Sequence, residues 1–144
     1  MIEQIMSAAE WQAMRVVWAH PGSNSQFIIS SLQEGFDWQA ATIKTLLGRL
    51  RKKGYLEMEK VGTTYRYQPL VTEKEHLSGQ IQTILDNVCS TKNGQLVEAL
   101  LEQGQFSTSD LHKILSKIEN LTKNSPETLI CHCLSGQCTC GHHH

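Results

Sequence analysis

The stretch Cys131-His132-Cys133-Leu134-Ser135-Gly136-Gln137-Cys138-Thr139-Cys140 holds two Cys-x-Cys pairs separated by four residues, and with them four of the chain's five cysteines. Thiols at that density support two kinds of chemistry, disulfide formation or soft-metal binding. Each Cys-x-Cys is too short to bridge comfortably to itself. Four thiolates can close a tetrahedral Zn²⁺ site, or hold Cu(I), which soft sulfur ligands select. A closed shell with no open position and no evident base suits a structural or sensing role rather than catalysis. The expected ligands are therefore Cys131, Cys133, Cys138 and Cys140, closing within one chain or across two. His132 sits inside the motif and is an alternative ligand, although four sulfurs already complete the shell. Cys89, alone at the end of an apolar stripe, reads as a core cysteine.

The rest of the chain must position that tail and respond to it. At 144 residues it fits one medium domain or two small ones. Its net charge of −1 is unevenly spread. From Trp38 to Tyr67 seven basic residues face two acidic ones, a local excess of +5, whereas from Val71 onward five lysines face eight acids. A basic segment in a mildly acidic protein is a candidate polyanion contact. The N-terminus carries no basic, apolar leader, and no apolar run reaches the roughly 18 residues of a membrane span. Clustered thiols without an export signal fit the reducing cytoplasm, where they bind metal more often than they pair. The final His142-His143-His144 run is set aside from the fold and could bind metal weakly.

Three helices are expected first. Ser7-Ala8-Ala9-Glu10 has the capping-box pattern, and Trp11, Met14 and Trp18 follow on one face before Pro21-Gly22. A second helix starts near Ser23 or Ser25, buries Phe27, Ile28 and Leu32, and stops around Gly35. A third runs from about Gln39 to Lys53, with Gly54 as its stop. Its apolar stripe is Ile43, Leu46, Leu47 and Leu50. The opposite face carries Ala41, Lys44, Thr45, Gly48 and Lys52, flanked by Thr42 and Arg49, with no acid on it. Such a face suits a helix laid against phosphates and base edges. The period then changes to two: Leu56 and Met58, a Gly62-Thr63 turn, then Tyr65 and Tyr67, a hairpin ended by Pro69. Three helices followed by a basic-tipped hairpin is the order of a winged helix-turn-helix, with helix three in the major groove and the hairpin against the backbone. Lys44 and Thr45 are the first choices for base edges, and Ala41 can meet a thymine methyl. Arg49, Arg51, Lys52, Lys53, Lys60 and Arg66 suit phosphates, with Arg51 and Lys53 equally readable as plain surface charges.

Beyond the hairpin three more helical patterns follow: Leu77, Ile81, Ile84, Leu85 and Val88; Leu96, Val97, Leu100 and Leu101; and Leu111, Ile114, Leu115, Ile118 and Leu121, the last capped by Ser107 and Asp110. They carry more apolar face than one small unit can bury, which points to a dimer or, less simply, to packing back on the N-terminal domain. The expected fold is mainly α with one β-hairpin. A winged-helix domain occupies residues 1–70, a helical dimerisation region 71–122, and a linker with the Cys-rich tail 123–144.

Trp11-x-x-Met14-x-x-x-Trp18, Trp38-x-x-x-Thr42-Ile43-Lys44-Thr45-Leu46-Leu47-x-Arg49-Leu50-x-x-Lys53-Gly54 and Tyr65-x-Tyr67-x-Pro69 together resemble the BlaI/MecI/CopY family of bacterial repressors. The resemblance is dense over residues 7–70 and looser beyond, and the Cys-x-Cys-x4-Cys-x-Cys tail looks like the CopY branch. Gln39, where many relatives carry Ser, and Ala41, where some carry a longer side chain, depart from the pattern. The resemblance implies a homodimeric repressor of a copper-homeostasis operon in Gram-positive bacteria. It would bind pseudo-palindromic DNA with TACA and TGTA half-sites, Gln39 and Thr42 joining the contacts above. It would hold one Zn²⁺ per chain while repressing and leave DNA when Cu(I), two per chain, displaces zinc. A copper-donating chaperone is a further partner on this reading. The competing classes are a metal buffer, a DNA-binding redox switch and a repressor inactivated by proteolysis. No acid–base or nucleophile constellation points to an enzyme.

Overall fold

The structure, a computed structural model, describes residues 5–140; the terminal His run lies outside them. The chain divides into two compact units between Gly79 and Gln80.

In the first unit, α1 (Ala8–Ala19) opens with the expected reciprocal cap: Ser7 Oγ accepts from the Glu10 amide, and Glu10 Oε1 accepts from the Ser7 amide at 2.7 Å. Helix α2 (Ser25–Gln33) is capped instead by Asn24, whose side chain accepts from the Phe27 amide. Helix α3 (Ala40–Lys53) follows Gln39 and ends at Gly54, whose φ of 87° is a left-handed stop that a side chain would strain. Strands β1 (Leu56–Val61) and β2 (Thr64–Pro69) pair antiparallel from Leu56 opposite Pro69 to Val61 opposite Thr64, around the two-residue turn Gly62-Thr63. The segment before α2 also reaches the hairpin. Tyr67 exchanges backbone hydrogen bonds with Gly22 and Ser23, both 2.9 Å, forming a short third bridge.

The core is formed by Met14, Val17, Ile28, Leu32, Ile43, Leu47, Leu50, Tyr55, Leu56 and Tyr67. This is the order and packing of a winged helix-turn-helix: α1 and α2 brace α3, and the hairpin is the wing. Phe27, expected inside, is 41% exposed and lies edge-on to His20. Ile28 and Leu32 are one turn apart and take the buried face. Phe27 is rotated about 100° from Ile28 and falls outside that face.

Two polar groups enter this core. Glu10 is 1% exposed and its Oε1 meets Lys53 Nζ at 2.6 Å, while Lys53 also donates to the Ile5 carbonyl. Lys53 is thus a structural cation tying the end of α3 to the start of α1. Burial pulls the Glu10 carboxyl up, but Lys53 and the Ser7 donors outweigh it and hold it below the usual carboxylate value. His76 is buried against Trp11, Trp18 and Tyr55, with ring centroids 4.6, 5.7 and 5.8 Å away. Desolvation lowers its pKa.

Helix α4 (Glu73–Asp86) carries residues of both units. A short 3₁₀ turn (Ser90–Lys92), α5 (Asn93–Gln103) and α6 (Thr108–Thr122) follow, with Ser107 and Asp110 forming the second capping box. No residue of α5 or α6 is buried, and Leu77, Ile81, Ile84, Leu85, Leu100, Leu111, Leu115 and Ile118 are all exposed; Leu96 and Ile114 are half-buried. Among the described residues no helix is long and apolar enough to cross a membrane.

Candidate nucleic-acid interface and thiol cluster

Helix α3 presents its two faces as its sequence requires. Ile43, Leu46, Leu47 and Leu50 are buried, while Ala41, Thr42, Lys44, Thr45, Gly48, Arg49 and Lys52 are exposed. Gln39, at the N-cap, makes no side-chain capping bond and is exposed, so its amide is available to a ligand. Thr45 Oγ1 donates to the Ala41 carbonyl at 3.0 Å, which fixes the hydroxyl and leaves its lone pairs outward. Lys60 is exposed at the end of β1, facing Tyr65 across the hairpin. Arg66 Nη1 donates to the Gly22 carbonyl at 2.9 Å, so this guanidinium is anchored to the loop before α2, with further N–H groups free of that bond. The face therefore offers cations, hydroxyls and an amide on a rigid helix, the donor set that phosphates and base edges require.

The tail gathers its thiols. Cys131 Sγ lies 3.8 Å from Cys138 Sγ, and Cys133 Sγ 3.9 Å from Cys140 Sγ. Both separations are far beyond a disulfide bond of about 2.05 Å. They match the sulfur–sulfur edge of about 3.8 Å that four Zn–S bonds of about 2.3 Å impose on a tetrahedron. The donor set thus fits Zn²⁺ or a Cu(I) thiolate cluster. A fifth thiol joins the tail cysteines. Among the described residues, the metal-ligating atoms that lie mutually within 4.8 Å are those of Cys89, Cys131, Cys133 and Cys140.

Cys89, expected in the core, is half-buried at the junction between α4 and α5 and joins the tail. The Thr91 hydroxyl and amide hold its thiol well below the ordinary value, at about 6. The neighbouring Cys131 and Cys89 sulfurs push Cys133 up. Cys138 is lowered by the Cys140 amide. His132 is exposed and outside the grouped ligands. Sequence reasoning missed Cys89 because 42 residues separate it from Cys131; the only local signal was its polar setting, Cys89-Ser90-Thr91-Lys92.

The family model for the penicillinase repressor matches residues 6–120. The chain belongs to the penicillinase repressor family. Among similar family members, the penicillinase repressor of Bacillus licheniformis is 31% identical over 121 residues, covering 82% of this chain and 94% of its own. The methicillin resistance regulatory protein MecI of Staphylococcus aureus is 28% identical over 109 residues, 76% of this chain and 89% of its own. An uncharacterized 16.5 kDa protein in the ptsI 3′ region of Latilactobacillus sakei is 37% identical over 135 residues, covering 94% and 92%. The solution structure of the DNA-binding domain of the repressor BlaI is similar over 52% of this chain and 90% of its own, with 39% identity and a TM-score of 0.46. The family match ends at residue 120, before the thiol tail.

Proposed function

We propose that this member of the penicillinase repressor family is a copper-responsive transcriptional repressor. It binds operator DNA as a homodimer in its zinc-loaded form and releases the DNA when Cu(I) displaces the zinc. The observation that carries this reading is a thiol cluster with tetrahedral sulfur spacing appended to a repressor fold. Membership of a family of repressors supports DNA as the ligand of the exposed, cationic α3 face. The proposed sites are pseudo-palindromic with TACA and TGTA half-sites, met by Lys44, Thr45, Ala41, Thr42 and Gln39, with Arg49, Lys52, Lys60 and Arg66 on phosphates. The apolar stripes of α4 to α6, exposed in one chain, are the surfaces two chains would share.

In the repressing state the tail thiolates enclose one Zn²⁺, each thiol losing its proton on ligation. Four thiolates carry the same total charge, −2, with one Zn²⁺ or with two Cu⁺. The response would therefore come from how the thiolates are arranged around the bound ions, and not from a change in their total charge. A change of about 1–3 kcal/mol in operator affinity would suffice for regulation. Changing Cys131, Cys133, Cys138 and Cys140 together to Ser is expected to leave the α3 face intact while removing both the gain in operator affinity on adding Zn²⁺ and the release by Cu(I), each read by fluorescence anisotropy of a labelled operator. Release of that variant by Cu(I) at the concentration that releases the parent chain would place the sensor elsewhere.

A further inference from the structure

The Cys-x-Cys-x4-Cys-x-Cys motif suggests a site made by the tail alone, but the structure brings a fifth thiol from another segment. Cys89 lies three residues beyond the end of α4, in the turn that leads to α5. Its sulfur, with those of Cys131, Cys133 and Cys140, forms the group in which every pair is within 4.8 Å. Relative to the roughly 3.8 Å edge of a zinc–thiolate tetrahedron, closing this group requires shifts of no more than about 1 Å. Cys138 stands outside that group, 3.8 Å from Cys131 and also beside Cys133 and Cys140.

Two further contacts seat the tail on this turn. The Thr91 hydroxyl lies 3.1 Å from Cys89 Sγ and donates to Cys140 Sγ at 3.2 Å. Lys92 Nζ donates to Thr139 Oγ1 at 2.6 Å. The end of the tail, Thr139-Cys140, is therefore held against Thr91 and Lys92 by two polar contacts, and the Thr91 hydroxyl bridges a sulfur of one segment to a sulfur of the other.

We propose that Cys89 is a metal ligand and that Zn²⁺ is held by Cys89, Cys131, Cys133 and Cys140, leaving Cys138 as a spare thiol beside Cys131. This rests on the reading that the tail binds metal. It changes what the metal does. A tail-only site would order about ten residues, whereas a site including Cys89 clasps the tail to the α4–α5 turn. It closes a loop containing α5 and α6, so loading and unloading act on the helices proposed to pair. The spare thiol also gives an incoming soft ion a place to bind before zinc leaves, because it can bond one sulfur outside the shell and then share Cys131.

The test is alkylation of the full reduced chain by iodoacetamide, without metal and with one equivalent of Zn²⁺, each cysteine being quantified by peptide mass spectrometry. A coordinated thiolate is a poor nucleophile, so zinc is expected to slow modification of Cys89, Cys131, Cys133 and Cys140 by roughly tenfold or more while Cys138 stays reactive. Cys89 reacting equally fast with and without zinc, while Cys131, Cys133, Cys138 and Cys140 are protected, would overturn the assignment and restore a tail-only site. No protection at any of the five thiols would sink the metal reading itself and this assignment with it. Because the measurement uses the unsubstituted chain, it does not depend on any cysteine variant folding.

Discussion

Removing the Lys53 ammonium tests how the end of α3 is secured. In Lys53→Met the methylene stem is kept, but the Glu10 carboxylate, 1% exposed, loses its 2.6 Å partner. Breaking a buried ion pair from one side costs about 3–5 kcal/mol when nothing else compensates. Here the Ser7 amide still donates to Oε1 at 2.7 Å, and the Lys53 side chain is 18% exposed, so water can partly take its place. Oε2, buried with no hydrogen-bond partner, gains nothing. The expected loss is therefore about 2–3 kcal/mol. Urea unfolding followed by tryptophan fluorescence would read it, since Trp11 and Trp18 pack against the same core. The pH dependence has a definite sign. The folded Glu10 pKa is depressed, so its contribution is fully present above the ordinary value of 4.5 and is lost as pH falls through the folded value. The gap between parent and variant should accordingly narrow below pH 4.5. Adding Glu10→Gln to Lys53→Met should recover much of the loss, because the buried charge disappears. An unchanged urea midpoint together with weakened DNA binding would refute this account and make Lys53 a phosphate contact.

Three other outcomes follow from named contacts. Lys44→Ala should cost about 1–3 kcal/mol of operator affinity and relax sequence preference, whereas Lys52→Ala should lower the slope of log K against log salt by about one without changing preference; unchanged operator binding in Lys44→Ala would remove it from the interface. Buried His76 has a pKa lowered by desolvation, so below about 6.5 the folded chain takes up this proton less readily than the unfolded chain. Stability should then fall by up to about 1.4 kcal/mol per pH unit below 6.5, and His76→Phe should flatten that part of the urea-midpoint profile. Leu100→Asp with Leu115→Asp, at positions 65% and 52% exposed in one chain, should convert a dimer to a monomer in sedimentation equilibrium; a dimer mass unaffected by both charges would place the interface elsewhere.

The parts of the fold that were legible in the sequence are those fixed by neighbours along the chain. The Ser7 and Ser107 caps, the stripe from Ile43 to Leu50, the Gly54 stop and the Gly62-Thr63 turn each depend on residues within one or two turns, and each is found in place. The exposed face of α3 was legible for the same reason, since a 3.6-residue period assigns both faces at once. Phe27 shows how narrow that inference is, because a residue beside the buried stripe is solvent-facing unless another element covers it. What the sequence hid is long-range. The Glu10–Lys53 pair spans 43 residues, and Cys89 meets Cys140 through Thr91 across the whole of α5 and α6. Lys53 looked like one more cation in a basic helix, and Cys89 like the end of an apolar stripe; only tertiary packing separates these residues from their neighbours.

The central claim is that metal exchange at the thiols controls the DNA complex, and the most direct measurement follows both at once. Zinc-loaded protein is bound to a fluorescent operator duplex and titrated anaerobically with Cu(I), anisotropy reporting the DNA and a zinc-sensitive dye the metal. The account predicts that zinc appears and anisotropy falls together, near two Cu(I) per chain. Zinc leaving while the operator stays bound would contradict it, and would make the tail a metal store on a repressor that answers to another signal.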